Sequence, residues 1–171
     1  MTVVRYVAVL LITLLAHVAG VWTIPEFARA VDLFLVLSVL YGLRGESFGG
    51  LAGGLGAGLV QDVLTAGPFG LHGFANTLVG YGAARLTQRL VIERPSGVLL
   101  VTAAASLVQQ AVLASLVLLL LPERELPEPL WIGVRAAGCG VVATVVYLAT
   151  QRWRRGSETR RLTRGKPLRL D

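Results

Sequence analysis

The sequence predicts an all-α, polytopic membrane protein built as a bundle of six transmembrane helices. Three observations carry this prediction. Of 171 residues, 54% are hydrophobic and 15% are charged, where a soluble domain would carry about 25% charge. The apolar residues gather into stretches that approach or exceed the roughly 17–25 residues a helix needs to cross a bilayer. The alternating ten-residue pattern of a spanning barrel does not occur in the chain.

The elements follow in order. Arg5 precedes a first span over 6–22, and Pro25 with Glu26-Phe27-Ala28-Arg29 makes the first connection. The second span, 31–43, is short for a crossing unless it begins near Phe27. Arg44-Gly45-Glu46-Ser47 turns into a third span over 48–64, and Gly67-Pro68 breaks that helix. A fourth span covers 69–86, and Arg85, Arg89, Arg94 and Pro95 form a basic connector. The fifth span, 97–121, contains no charge at all. The acidic, proline-rich run from Pro122 to Pro129 cannot continue a helix, and a sixth span covers 131–150. The spans make one domain, 1–150. The remainder, 151–171, is a basic tail without apolar periodicity, expected to be flexible.

Lys and Arg fix the orientation. Arg5, Arg44, Arg85, Arg89, Arg94 and eight basic tail residues fall on one side, thirteen in all, while Arg29, Arg124 and Arg135 fall on the other. Positive residues stay in the cytoplasm, so both termini are expected there and the turn between the third and fourth spans is expected at the outer face. The first span has a rival as a cleaved signal peptide, but its apolar stretch is long and its small-residue pattern poor. The net charge of +6 is accounted for by this distribution and does not point to nucleic acid. The tail suits anionic lipid, at about 1 kcal/mol per basic residue near the surface.

Few residues have the makings of chemistry. Gly50, Gly54 and Gly58 recur every four residues and let a neighbouring backbone approach one helix face, which reads as close packing before it reads as a groove or pivot. Asp62 precedes the Gly67-Pro68 break and His72 follows it, so the two should lie at similar depth on adjacent helices. A carboxylate in a membrane is expensive, and near a helix C-terminus it opposes the macrodipole. A bond to His72 or to backbone N–H groups of the 66–70 turn would offset both. On this reading Asp62→Asn disturbs packing rather than a pH-dependent activity; a proton relay is the sharper alternative.

Gly45-Glu46-Ser47-Phe48-Gly49 matches a hydrolase nucleophile motif, with Asp62 and His72 following in order. That motif requires a strand–turn–helix elbow. Here it joins two apolar helices, and fifteen helical residues hold Ser47 about 22 Å from Asp62. No triad forms. His17 and Gln109-Gln110 are isolated polar groups expected to bond between helices, at about 0.6 kcal/mol each. Cys139, the one cysteine, excludes a disulfide framework and a cysteine-based metal site and reads as a small packing residue. No catalytic set, cofactor site or metal site is expected.

The run Gly58-Leu59-x-x-Asp62-x-Leu64-x-x-x-Pro68-x-Gly70-Leu71-His72, followed by Leu78-Val79-Gly80-Tyr81, resembles the core of the rod shape-determining MreD family. Asp32-Leu33-Phe34-Leu35-Val36-Leu37, ending in Tyr41-Gly42-Leu43, resembles its second-helix motif, although Val31 stands where the family usually has proline. The resemblance implies a non-enzymatic subunit of the bacterial cell-elongation machinery in the plasma membrane. Its implied partners are MreC first, then the MreB filament, the RodA glycosyltransferase and the elongation transpeptidase. It also implies a bundle similar to the substrate-binding components of energy-coupling-factor transporters. A vitamin-binding subunit of such a transporter is therefore the alternative function, though few polar residues are available to line its pocket.

Overall fold

The computed structural model describes residues 3–65, 67–90, 94–120 and 128–164, with side chains described as far as Trp153. Within these residues all regular structure is helical: α1 (Val3–Thr23), α2 (Phe27–Ala30), α3 (Leu33–Gly42), α4 (Ser47–Leu64), α5 (Leu71–Arg89), α6 (Pro95–Leu120) and α7 (Pro129–Arg164). The acidic run from Pro122 to Pro127 and the residues from Gly165 onward lie outside the described residues. Among the described residues, three helices are long and apolar enough to cross a membrane: α1, α6, and α7 over Pro129–Trp153.

Two elements differ from the sequence expectation, each for a physical reason. The second apolar stretch is interrupted rather than continuous. Val31 and Asp32 are extended, with φ −141° and −110°, and separate the one-turn α2 from α3. Ten residues of α3 rise only about 15 Å, which explains the short apolar run. The last helix continues past Thr150 as far as Arg164. The residues after Thr150 are rich in arginine, a good helix former, and contain no proline before Pro167. An established helix extends through such residues without any apolar face. Pro95 and Pro129 each open a helix, where a missing N–H is harmless.

The bundle is built around α3. Eight of its ten residues are buried, with α4, α5 and α7 around it and α1 at one side. Leu35, Val36 and Val39 meet Val79, Ala83, Val98, Cys139 and Ala143, while Phe34, Leu37 and Tyr41 meet Ala57 and the partly buried Tyr6, Val9 and Leu14. Large apolar side chains also cover the outside: Leu11, Ile12 and Leu15 on α1, Phe74 and Leu78 on α5, Leu100 and Leu107 on α6, and Val141 and Val145 on α7. An exterior of this kind in water would be a liability; against acyl chains it is the expected surface. Lipid removes the hydrophobic driving force between helices, so close backbone packing and polar contacts must hold the bundle.

The α4–α5 pair shows the first of these. A Cβ placed on Gly50, Gly54 or Gly58 would fall on the carbonyl oxygen of Gly80, Asn76 or His72 respectively. Each step of four up α4 is a step of four down α5, so the helices run antiparallel with their backbones in contact. The glycine spacing is therefore a packing face. At the end away from the 65–70 turn, Gln88 Nε2 donates to Ser47 Oγ and to the Gly45 carbonyl, both at 2.8 Å. Ser47 and its G-x-S-x-G motif thus belong to a helix-end bond, far along α4 from Asp62 and His72.

Candidate functional site

Asp62 sits one turn from the C-terminus of α4, yet its carboxylate belongs to the start of α5. Oδ1 accepts from His72 N and His72 Nδ1, both at 2.9 Å, and Oδ2 accepts from Gly70 N at 3.0 Å and Gly73 N at 2.9 Å. A carboxylate can only accept, so His72 carries its proton on Nδ1. Three of the four bonds come from backbone groups at the α5 N-terminus, where helical N–H groups have no partner within the helix. The macrodipole of α5 also favours a negative charge there. Pro68 lies in the turn, and Gly70 closes it at φ +100°, a conformation that side-chain-bearing residues rarely adopt. Residues 62–72 form a closed clasp across one turn.

A second cluster lies beside the clasp, and its centre is Asp32. Its Oδ1 accepts from Phe34 N at 3.1 Å and Leu35 N at 3.0 Å, capping α3. Its Oδ2 accepts from Gln61 Nε2 at 2.8 Å, Gln109 Nε2 at 3.1 Å and the Arg135 guanidinium at 2.5 Å. Asn76 closes the set, donating to Gln61 Oε1 at 3.0 Å and accepting from Gln109 Nε2 at 2.7 Å. The Asp32 N–H donates to Cys139 Sγ at 3.2 Å. One buried carboxylate thus gathers side chains from α4, α6 and α7, and reaches α5 through the amides. Removing one partner of a buried ion pair strands the other charge and costs about 3–5 kcal/mol, so the cluster does not tolerate the loss of Asp32 or Arg135 alone.

The sequence-derived residues fall into separate places. Asp62, Gly70 and His72 make the clasp; Gly50, Gly54, Gly58 and Gly80 make the α4–α5 contact. Tyr41 packs edge-on against Tyr6 with ring centroids 4.9 Å apart, and the Arg44 guanidinium lies 4.4 Å from its ring. Tyr81 faces outward, with Arg85 5.7 Å from its ring, and joins neither cluster. Cys139 is a packing residue, as its surroundings of Leu35, Val36 and Ala143 show. Of the isolated polar groups, Gln109 bonds between helices and Gln110 reaches the Ile132 carbonyl at 3.3 Å. His17 instead stacks near Phe34 at 5.2 Å, and its Nδ1 has no partner.

Gln61, Asn76, Gln109 and Arg135 are the residues that motif reading missed as a set. One signal pointed toward them. Arg135 is a charge inside an apolar stretch, which requires a partner, and Asp32 is an acid on the same predicted side. Both clusters are closed arrangements in which polar groups mostly bond one another. Their chemistry holds helices together; among the described residues no group of three or more His, Cys, Asp or Glu is placed to hold a metal ion.

A family model for rod shape-determining protein MreD matches residues 1–123. That range includes the clasp, the glycine face and Asp32, and it stops short of Arg135. No curated protein and no solved structure matches the chain. With most of its length matched, the chain belongs to the MreD family of rod shape-determining proteins.

Proposed function

We propose that this protein is a non-enzymatic, multi-pass subunit of the rod complex in the bacterial plasma membrane, and that it acts by docking MreC. Through MreC it would connect to the MreB filament, the RodA glycosyltransferase and the elongation transpeptidase. The family match over residues 1–123 is the observation that carries this reading. The apolar exterior and the closed polar interior support a helix-docking role over a ligand-releasing one. Beside α1, α6 and α7, the proposal assigns three further crossings to α2–α3, α4 and α5, in a bundle similar to energy-coupling-factor substrate-binding components. The charge bias supports cytoplasmic termini, with the basic residues after Gln151 against anionic lipid.

Depletion tests the function. Loss of rod shape, with cells rounding as the protein disappears, is the expected result; intact rods with loss of vitamin uptake would replace it with the transporter reading. Crosslinking tests the docking. A photoreactive residue at Leu55 on α4, or at Phe74 or Leu78 on α5, each exposed on the bundle surface, should capture MreC in native membranes. If none of the three captures it, the α4–α5 surface is not where MreC binds.

A further inference from the structure

α3, α4 and α5 pack chiefly against one another, and α6 and α7 form a hairpin laid against them. Across the seam Val98, Cys139 and Ala143 pack with Leu35, Val36, Val39 and Val79 of α3 and α5, and Gly138 meets the Ala30 carbonyl of α2. The polar links across it converge on one place. Arg135 and Gln109, from the α6–α7 hairpin, both reach Asp32 Oδ2, and Gln109 also reaches Asn76. Two buried atoms at this point, Gln109 Oε1 and Arg135 Nε, have no protein partner, although Gln109 is wholly buried. The Arg135 side chain remains 20% exposed, so its charge can reach polar surroundings if the contact parts.

We propose that the α6–α7 hairpin is a separately movable unit, latched to the α3–α5 group by the Asp32–Arg135 ion pair, and that this seam is where the bundle opens. The Asp32–Arg135 ion pair is the charged link across this apolar seam, and its loss leaves a buried carboxylate without its counter-charge. The α4–α5 pair, by contrast, is joined backbone to backbone along three glycines and closed by the clasp. Opening therefore separates the hairpin before it separates α4 from α5. Loss of Arg135 and parting of the hairpin leave Asp32 with three N–H donors inside the α3–α5 group, from Phe34, Leu35 and Gln61, so that group stays intact while the latch is gone.

Cys139 is a reporter built into the seam: it is the chain's one cysteine, fully buried, and bonded to the Asp32 N–H. The test is the rate at which N-ethylmaleimide labels it in the full-length protein in lipid vesicles. Arg135→Gln should label at least about tenfold faster than wild type, because local opening sets the rate and a broken buried pair favours opening. Arg135→Lys, which keeps the charge, should recover most of the protection. His72→Ala, which removes one donor of the clasp on the other group and leaves its backbone bonds, should leave the rate near wild type. An unchanged rate in Arg135→Gln overturns the proposal. So does an equal rise in His72→Ala, which would mean global unfolding, or an equal rise in Arg135→Lys, which would mean lost packing. If Arg135→Gln does not accumulate, the unaltered latch decides. Cys139 should label about tenfold faster than a thiol placed by Ala75→Cys in a Cys139→Ala background, since Ala75 is buried within the α3–α5 group. Equal rates there would show that no seam opens ahead of the rest.

Discussion

Gly54→Val should destabilise the bundle by about 3 kcal/mol or more, and cells relying on the variant should round up. A Cβ at this position falls on the Asn76 carbonyl and close to the Thr77 Cα. Both are backbone, so no side chain can swing aside and α4 must move away from α5. Gly50 and Gly58 then lose their contacts along with Gly54, because all three lie on one face. The separation also pulls Gln61 from Asn76, now 3.0 Å apart, and so loosens the amides around Asp32. Gly82→Val is the matched control, since a Cβ at Gly82 meets nothing within 4 Å. Thermal unfolding in detergent, read beside cell shape, checks the pair. A wild-type midpoint in Gly54→Val would show that the α4–α5 backbone contact is looser than described here.

The helical class and the three long apolar helices, α1, α6 and α7, were legible in the sequence because lipid demands long apolar runs, and such runs leave a plain record. The clasp was legible because its partners stand eight to eleven residues apart across one turn. Proline and glycine mark that turn, and an acid stands on one side with a histidine on the other. The Asp32 cluster was not legible. Its partners stand 29, 77 and 103 residues away, on helices whose neighbours no hydropathy pattern specifies. The break at Val31–Asp32 escaped for the same reason, since α3 begins where a carboxylate anchored by distant side chains caps it. The end of α7 escaped differently: hydropathy shows where a helix leaves lipid, and α7 goes on as helix past that point. The acid in the second-helix motif was identified by its pattern, while its role as a hub became visible only through packing.

Asp62→Asn should also lower stability substantially, by about 2–4 kcal/mol, with rod shape declining in step with the amount of folded protein. The sequence placed this acid against the unfavourable end of the α4 macrodipole, an effect of about 0.3–1 kcal/mol at an exposed position. In the fold the same carboxylate meets the favourable end of α5, where three backbone N–H groups and His72 Nδ1 converge on it. Four donors outweigh the α4 term. Asparagine has one acceptor oxygen, so it can keep one pair of these donors while its amide turns an N–H toward the other pair. Two donors lose their acceptor, and Gly73 N is buried. His72→Ala removes one donor and leaves the backbone bonds, so its loss should be the smaller of the two. This order, with Asp62→Asn worse than His72→Ala, marks a structural clasp. A proton relay would make the variants about equally inactive and leave both fully folded, and unfolding midpoints equal to wild type in inactive Asp62→Asn and His72→Ala would establish the relay instead.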